Sequence, residues 1–202
     1  MIAIVDDARE RSNEPFALQV DEGEILRTID RLAYQYFCLS PDEVALIDDT
    51  VEAVLPALQP HEGHFPKLWG APDEPQRAQY ARTLAASLGD WFKGKKIDAR
   101  LVARGADLAI LRLHLGGHED YAEDAAGELS DVLEQLAAHI HRPLDGNFQL
   151  MPDLRVFVSD YLYLIKPMQM RFWLRSTALA DADGIALDLQ QAAAVRQQRS
   201  AD

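Results

Sequence analysis

The chain has 202 residues, 48% of them apolar and 26% charged, enough to bury the core of one ordinary domain. Thirty-three acids against twenty bases leave a net charge of −13. That balance excludes attraction of the whole molecule to nucleic acid, and no apolar run has the length of a membrane helix. Residues 1–60 hold thirteen acids and four bases, so the acidity is concentrated at the front. A single cysteine, Cys38, excludes an internal disulfide framework and a thiol-rich metal site. The N-terminus turns acidic at Asp6-Asp7 without the basic start of a secretory signal, so the expected location is cytoplasmic.

Residues 1–20 read as a polar lead-in ending in a short strand, Phe16 to Val20. A helix is predicted over about 22–37, with Ile25, Ile29, Leu32, Ala33 and Tyr36 at helical spacing. Ser40-Pro41-Asp42-Glu43 opens a second helix: Ser40 can cap, Pro41 suits the first turn, and Glu43 completes a capping box. Its apolar face is Val44, Ile47, Val51, Val54, Leu55 and Leu58, and the two helices are expected to pack as an antiparallel pair. Residues 61–76 are rich in proline and read as a linker. A third helix spans about 75–93, with Tyr80, Leu84, Leu88 and Trp91 on one stripe.

The period then changes. Residues 99–103 and 108–113 read as strands around an Arg104-Gly105-Ala106-Asp107 turn. Leu129, Val132, Leu133, Leu136 and Ile140 define a fourth helix. Arg155 to Val158 and Tyr161 to Ile165 form a second strand pair, and the chain is helical from Met168 onward, weakened at Gly184. The fold class is α+β: an N-terminal helical pair followed by a mixed helix and antiparallel-strand region. The expected divisions are 1–60, 61–76 and 77–202.

No phosphate-binding glycine loop or nucleophile elbow occurs, so no catalytic or cofactor residue is assigned. His61 and His64 sit among prolines, and His139 and His141 cannot face one way on a helix, so these histidines are not read as a metal site. Asp48 and Asp49 are expected on the solvent side of their helix; Asp181 or Asp183 could cap the last one. The most suggestive stretch is 161–175, where Lys166, Arg171 and Arg175 interleave with Tyr161, Tyr163, Phe172 and Trp173. Cations beside stacking rings are what a nucleic-acid surface uses, which makes Lys166, Arg171, Trp173 and Arg175 the candidate contacts. The competing reading is that the rings fill the core and the cations flank them.

The segment Ile25-Leu26-Arg27-Thr28-Ile29-Asp30-Arg31-Leu32-Ala33-Tyr34-Gln35-Tyr36-Phe37-Cys38-Leu39-Ser40-Pro41-Asp42-Glu43-Val44-Ala45-Leu46-Ile47-Asp48 is similar to a segment near the end of large N6-adenine DNA methyltransferases of restriction-modification and phage-defence systems. Leu164-Ile165-Lys166-Pro167 through Phe172-Trp173 and Ala178 to Asp183 also resemble their tail. Cys38 stands where that family has glycine. The family's Asn/Asp-Pro-Pro-Tyr/Phe motif and its glycine turn for S-adenosylmethionine do not occur here. The resemblance therefore implies a non-catalytic subunit of a DNA-modification or anti-phage defence complex. Its acidic helical front would dock on a catalytic partner, and its rear half would supply DNA or subunit contacts. Two alternatives stay open. One is an acidic regulator occupying a partner's nucleic-acid site; the other is a small enzyme built from groups such as Arg104, Asp107, Asp160 and Lys166.

Overall fold

The computed structural model describes residues 22–58, 67–115, 122–127, 129–140, 154–158 and 160–199. The expected strand at 16–20 and the histidines at 61, 64, 118 and 141 lie outside them. Two compact units are formed, Met1–Val44 and Ala45–Asp202.

In the first unit, α1 (Glu22–Tyr36) carries Glu22 and Glu24 in its opening turn, where the helix dipole favours acids. It closes in a Schellman arrangement: the Leu39 amide reaches the Tyr34 carbonyl at 3.0 Å and the Cys38 amide reaches Gln35 at 3.1 Å. Cys38 takes the left-handed position with φ 53°. The expected burial of the apolar face of α1 does not occur. Ile25, Ile29, Leu32 and Tyr36 are all exposed, and α1 buries no residue.

Helix α2 (Pro41–Asp49) begins with the capping box foreseen from Ser40 and Glu43 and crosses into the second unit. It continues through a π-helical turn, Thr50–Val54, into the short α3 (Leu55–Leu58). Pro56 accounts for the widening. It offers no amide and its ring crowds the carbonyl four residues back, and the Leu55 amide bonds to Thr50 instead.

The rest of the second unit is a five-stranded sheet in the order β3-β1-β2-β5-β4, formed by β1 (Asp98–Arg104), β2 (Leu108–His114), β3 (Ala122–Gly127), β4 (Leu154–Val158) and β5 (Tyr161–Pro167). All neighbours are antiparallel except β1 and β3. Helix α4 (Glu74–Trp91) and helix α6 (Arg175–Arg199) pack on each other and cover one face, while α5 (Leu129–Ile140) packs on the other. The larger core lies under α4 and α6. There Tyr80, Leu84 and Leu88 meet Leu101, Leu111, Leu113, Leu162 and Leu164 from the strands and Trp173, Ala178, Ala182 and Ile185 behind them. The smaller core, under α5, gathers Ala103, Ile110, Leu136, Val156 and Ile165. A bulge between Leu101 and Ala103 lets β1 feed both cores: Leu101 points to one and Ala103 to the other.

Helix α6 runs unbroken through Gly184. The Arg155 guanidinium lies against that glycine, where a Cβ would meet its Nη1 at 2.7 Å, and bonds Asp188 at 2.8 Å.

Candidate functional site

Alternation along β5 places Leu162, Leu164 and Lys166 on the same face, so Lys166 enters the larger core with them. It is 1% exposed and is held by side chains from two helices. Its Nζ donates to the Tyr80 hydroxyl of α4 at 2.8 Å, stands 4.4 Å from the centre of that ring, and pairs with the Asp181 carboxylate of α6. The Tyr80 hydroxyl donates to the same carboxylate at 2.5 Å. Trp173 sits edge-on to Tyr80 at 5.2 Å and donates its indole N–H to the Pro167 carbonyl at 2.8 Å. Such a closed, charge-balanced cluster ties strand to helices. Asp181 is thus occupied mid-helix and does not cap, while Asp183 accepts from the Trp91 indole at 3.2 Å.

Arg175 opens α6 and is clasped from α2, with Nη2 at 2.9 Å from Asp48 and Nε at 3.6 Å from Asp49. Burial works against the Arg175 charge, but the two carboxylates outweigh it and raise its pKa above the usual arginine value. Asp49 also accepts the Ser176 amide at 2.6 Å, so it caps α6 from outside the helix. The expectation that Asp48 and Asp49 face solvent is corrected here. Asp49 is 8% exposed, because the thin face of Ala45, Asp49 and Ala53 is the one turned inward.

Arg171 lies on the surface, its guanidinium 4.3 Å from the Trp69 ring centre and 4.6 Å from that of Phe172. The four candidate nucleic-acid contacts therefore share no surface. Lys166 and Trp173 are core residues, Arg175 is bound to acids, and Arg171 alone faces water on its aromatic neighbours. Tyr80 completes the Lys166 cluster without having been marked as polar machinery. The signal was there in the strand alternation, which makes Lys166 an inward-facing charge in need of an acid.

Two apolar stripes are left open on the described helices. On α1, Ile25, Ile29, Leu32 and Tyr36 form a stripe spaced by four, three and four residues, with Leu26 and Phe37 beside it, and these are 46–82% exposed. At order 100 Å² for a full apolar side chain, these six residues together offer roughly 400 Å² of apolar surface, the size at which an exposed patch marks a binding site. On α2 and α3, Ile47, Val51, Leu55 and Leu58, joined by Leu46, form a second stripe, 37–72% exposed. No protein-family model, characterised protein or solved structure matches the chain. Among the described residues no cluster of histidine, cysteine and acidic side chains could hold a metal ion, and no helix is long and apolar enough to cross a membrane.

Proposed function

We propose that the chain is a non-catalytic subunit that docks on a catalytic partner through the apolar stripes of its N-terminal helices. The observation that carries this reading is the exposure of both stripes: amphipathic helices are stable when their apolar face is covered, and here each of those faces meets solvent. The partner class follows from the resemblance of residues 25–48 to a methyltransferase segment. One departure from that family is reconciled by the turn itself, since Cys38 adopts the left-handed conformation that a glycine would take there. A catalytic chain of a DNA-modification or defence system is accordingly the expected partner, and any DNA contact is made within that complex.

Affinity purification from the native cell tests this with three proteins: the wild type, Ile29→Asp/Leu32→Asp, and Val51→Asp/Leu55→Asp. The wild type should bring down a chain that carries the Asn/Asp-Pro-Pro-Tyr/Phe and cofactor-binding motifs, and at least one aspartate variant should lose it. Recovery of the wild type alone, as a monomer, overturns the reading.

A further inference from the structure

The sheet face opposite α4 and α6 has two unlike halves. Under α5 lies the row of Ala103, Ile110 and Ile165, apolar throughout. The next rows change character. Arg100 on β1 is paired in register with Arg112 on β2, Arg112 with Tyr163 on β5, and Tyr163 with Val156 on β4. Beyond it, Asp98 is paired with His114, His114 with Tyr161, and Tyr161 with Val158. Two guanidinium groups, an imidazole and two phenol rings thus occupy neighbouring positions on three central strands, each partly exposed. Two of the rings stack on each other. His114 and Tyr161 lie 4.8 Å apart and 25° from coplanar, and the Arg112 guanidinium stands 5.3 Å from the centre of the Tyr161 ring. Arg100 is steered by Asp98 at 3.3 Å, while the other oxygen of that carboxylate is buried without a hydrogen-bond partner.

We infer that this half of the sheet is a binding site for single-stranded nucleic acid. A base stacks on the Tyr161 and His114 rings, and the adjoining phosphates are gripped by Arg112 and Arg100. Flat rings on a partly exposed sheet face suit bases freed from a duplex, whose paired bases expose no face, and a guanidinium near the ring places a cation where the backbone leaves the stacked base. The site is local, so the net charge of −13 weakens it without removing it. It lies on different elements from the helical stripes and stands whether or not those hold a partner.

The test is fluorescence anisotropy of an end-labelled twelve-residue oligothymidine titrated with the full chain at low salt. A blunt duplex of the same length and thymidine monophosphate serve as competitors. The single strand should bind in the micromolar range and lose affinity with salt at a log–log slope of about −1.4, as two phosphate contacts require. Duplex and mononucleotide should compete at least tenfold more weakly. Tyr161→Ala should weaken binding about fivefold or more, as loss of one stacked base does. Arg112→Gln should weaken binding and make the salt slope shallower. Circular dichroism melts must show each variant folded; if Tyr161→Ala is not, Tyr161→Leu replaces it. Absence of binding by the wild type at 200 µM protein (~200 µM, the weak end of non-specific affinity) overturns the inference. So does a folded Tyr161 variant that binds as the wild type does, or tighter binding of the duplex.

Discussion

Replacing Lys166 with methionine keeps most of the side chain's volume and removes its charge from inside the larger core. What remains is the Asp181 carboxylate, 7% exposed, still accepting from the Tyr80 hydroxyl at 2.5 Å but without its cation. Removing one member of a buried ion pair costs about 3–5 kcal/mol, because the survivor is left desolvated and uncompensated. In a unit of this size, that is a fall in Tm of about 6–20 °C. Thermal and urea melts monitored by circular dichroism measure it. The triple variant Lys166→Met/Asp181→Leu/Tyr80→Phe should recover much of the loss, since an all-apolar replacement leaves no charge stranded. A single variant melting within about 2 °C of the wild type would refute the reasoning. So would a triple variant less stable than the single one.

The αL position of Cys38, exposed at its turn, makes Cys38→Gly stabilising for α1 by about 0.5–1 kcal/mol, seen as slower amide exchange at residues 34–39. The Ser40 amide and hydroxyl hold the Glu43 carboxyl below its ordinary pKa. The folded value is depressed, so the contribution of the cap is complete above the unfolded value of about 4.3 and disappears as pH falls through the folded one. NMR of residues 41–46 should therefore show the start of α2 fraying in acid, and Glu43→Gln should remove that pH dependence. Asp49→Ala strips the cap from Ser176 and one acid from Arg175, and should cost about 1–2 kcal/mol by urea melt. A loss confined to a few tenths of a kcal/mol would mean that Asp48 suffices.

Much of the architecture is legible before any coordinates. Both hairpins announce themselves by alternation around turn residues. The α4 stripe of Tyr80, Leu84 and Leu88 goes where its period directs, fully into the core, although Trp91 on the same stripe stays half exposed. The chain β3 is different. Ala122–Gly127 has no β-branched or aromatic residue, and its strand state comes from pairing with β1, a tertiary effect. Periodicity also identifies an apolar face without saying what covers it: α2 turns Ala45, Asp49 and Ala53 inward and leaves Ile47, Val51 and Leu55 out. Among the site residues, adjacency in sequence was the misleading signal. Lys166, Arg171, Trp173 and Arg175 are close along the chain but share no surface, since Lys166 and Trp173 meet at Tyr80 inside the core, whereas Arg100, Arg112 and Tyr161 are separated along the chain and are brought together by strand register. Gly184 was legible as a weak helix position, but its function, giving room to Arg155, depends on a residue from another strand.

The sheet order has a consequence for how the chain is made. Strands β1 and β2 are joined to β4 and β5 only through the β2–β5 pairing, and the Tyr80 hydroxyl finds its Asp181 partner 101 residues further along. At about 5–20 residues per second, a ribosome takes on the order of 5–20 s to cover that distance. For most of that interval the inner stripe of α4 can meet β1 and β2 but neither β5 nor α6. The nascent chain therefore carries Tyr80, Leu84 and Leu88 only partly covered until its final helix emerges, and it is before then that a chaperone would be needed.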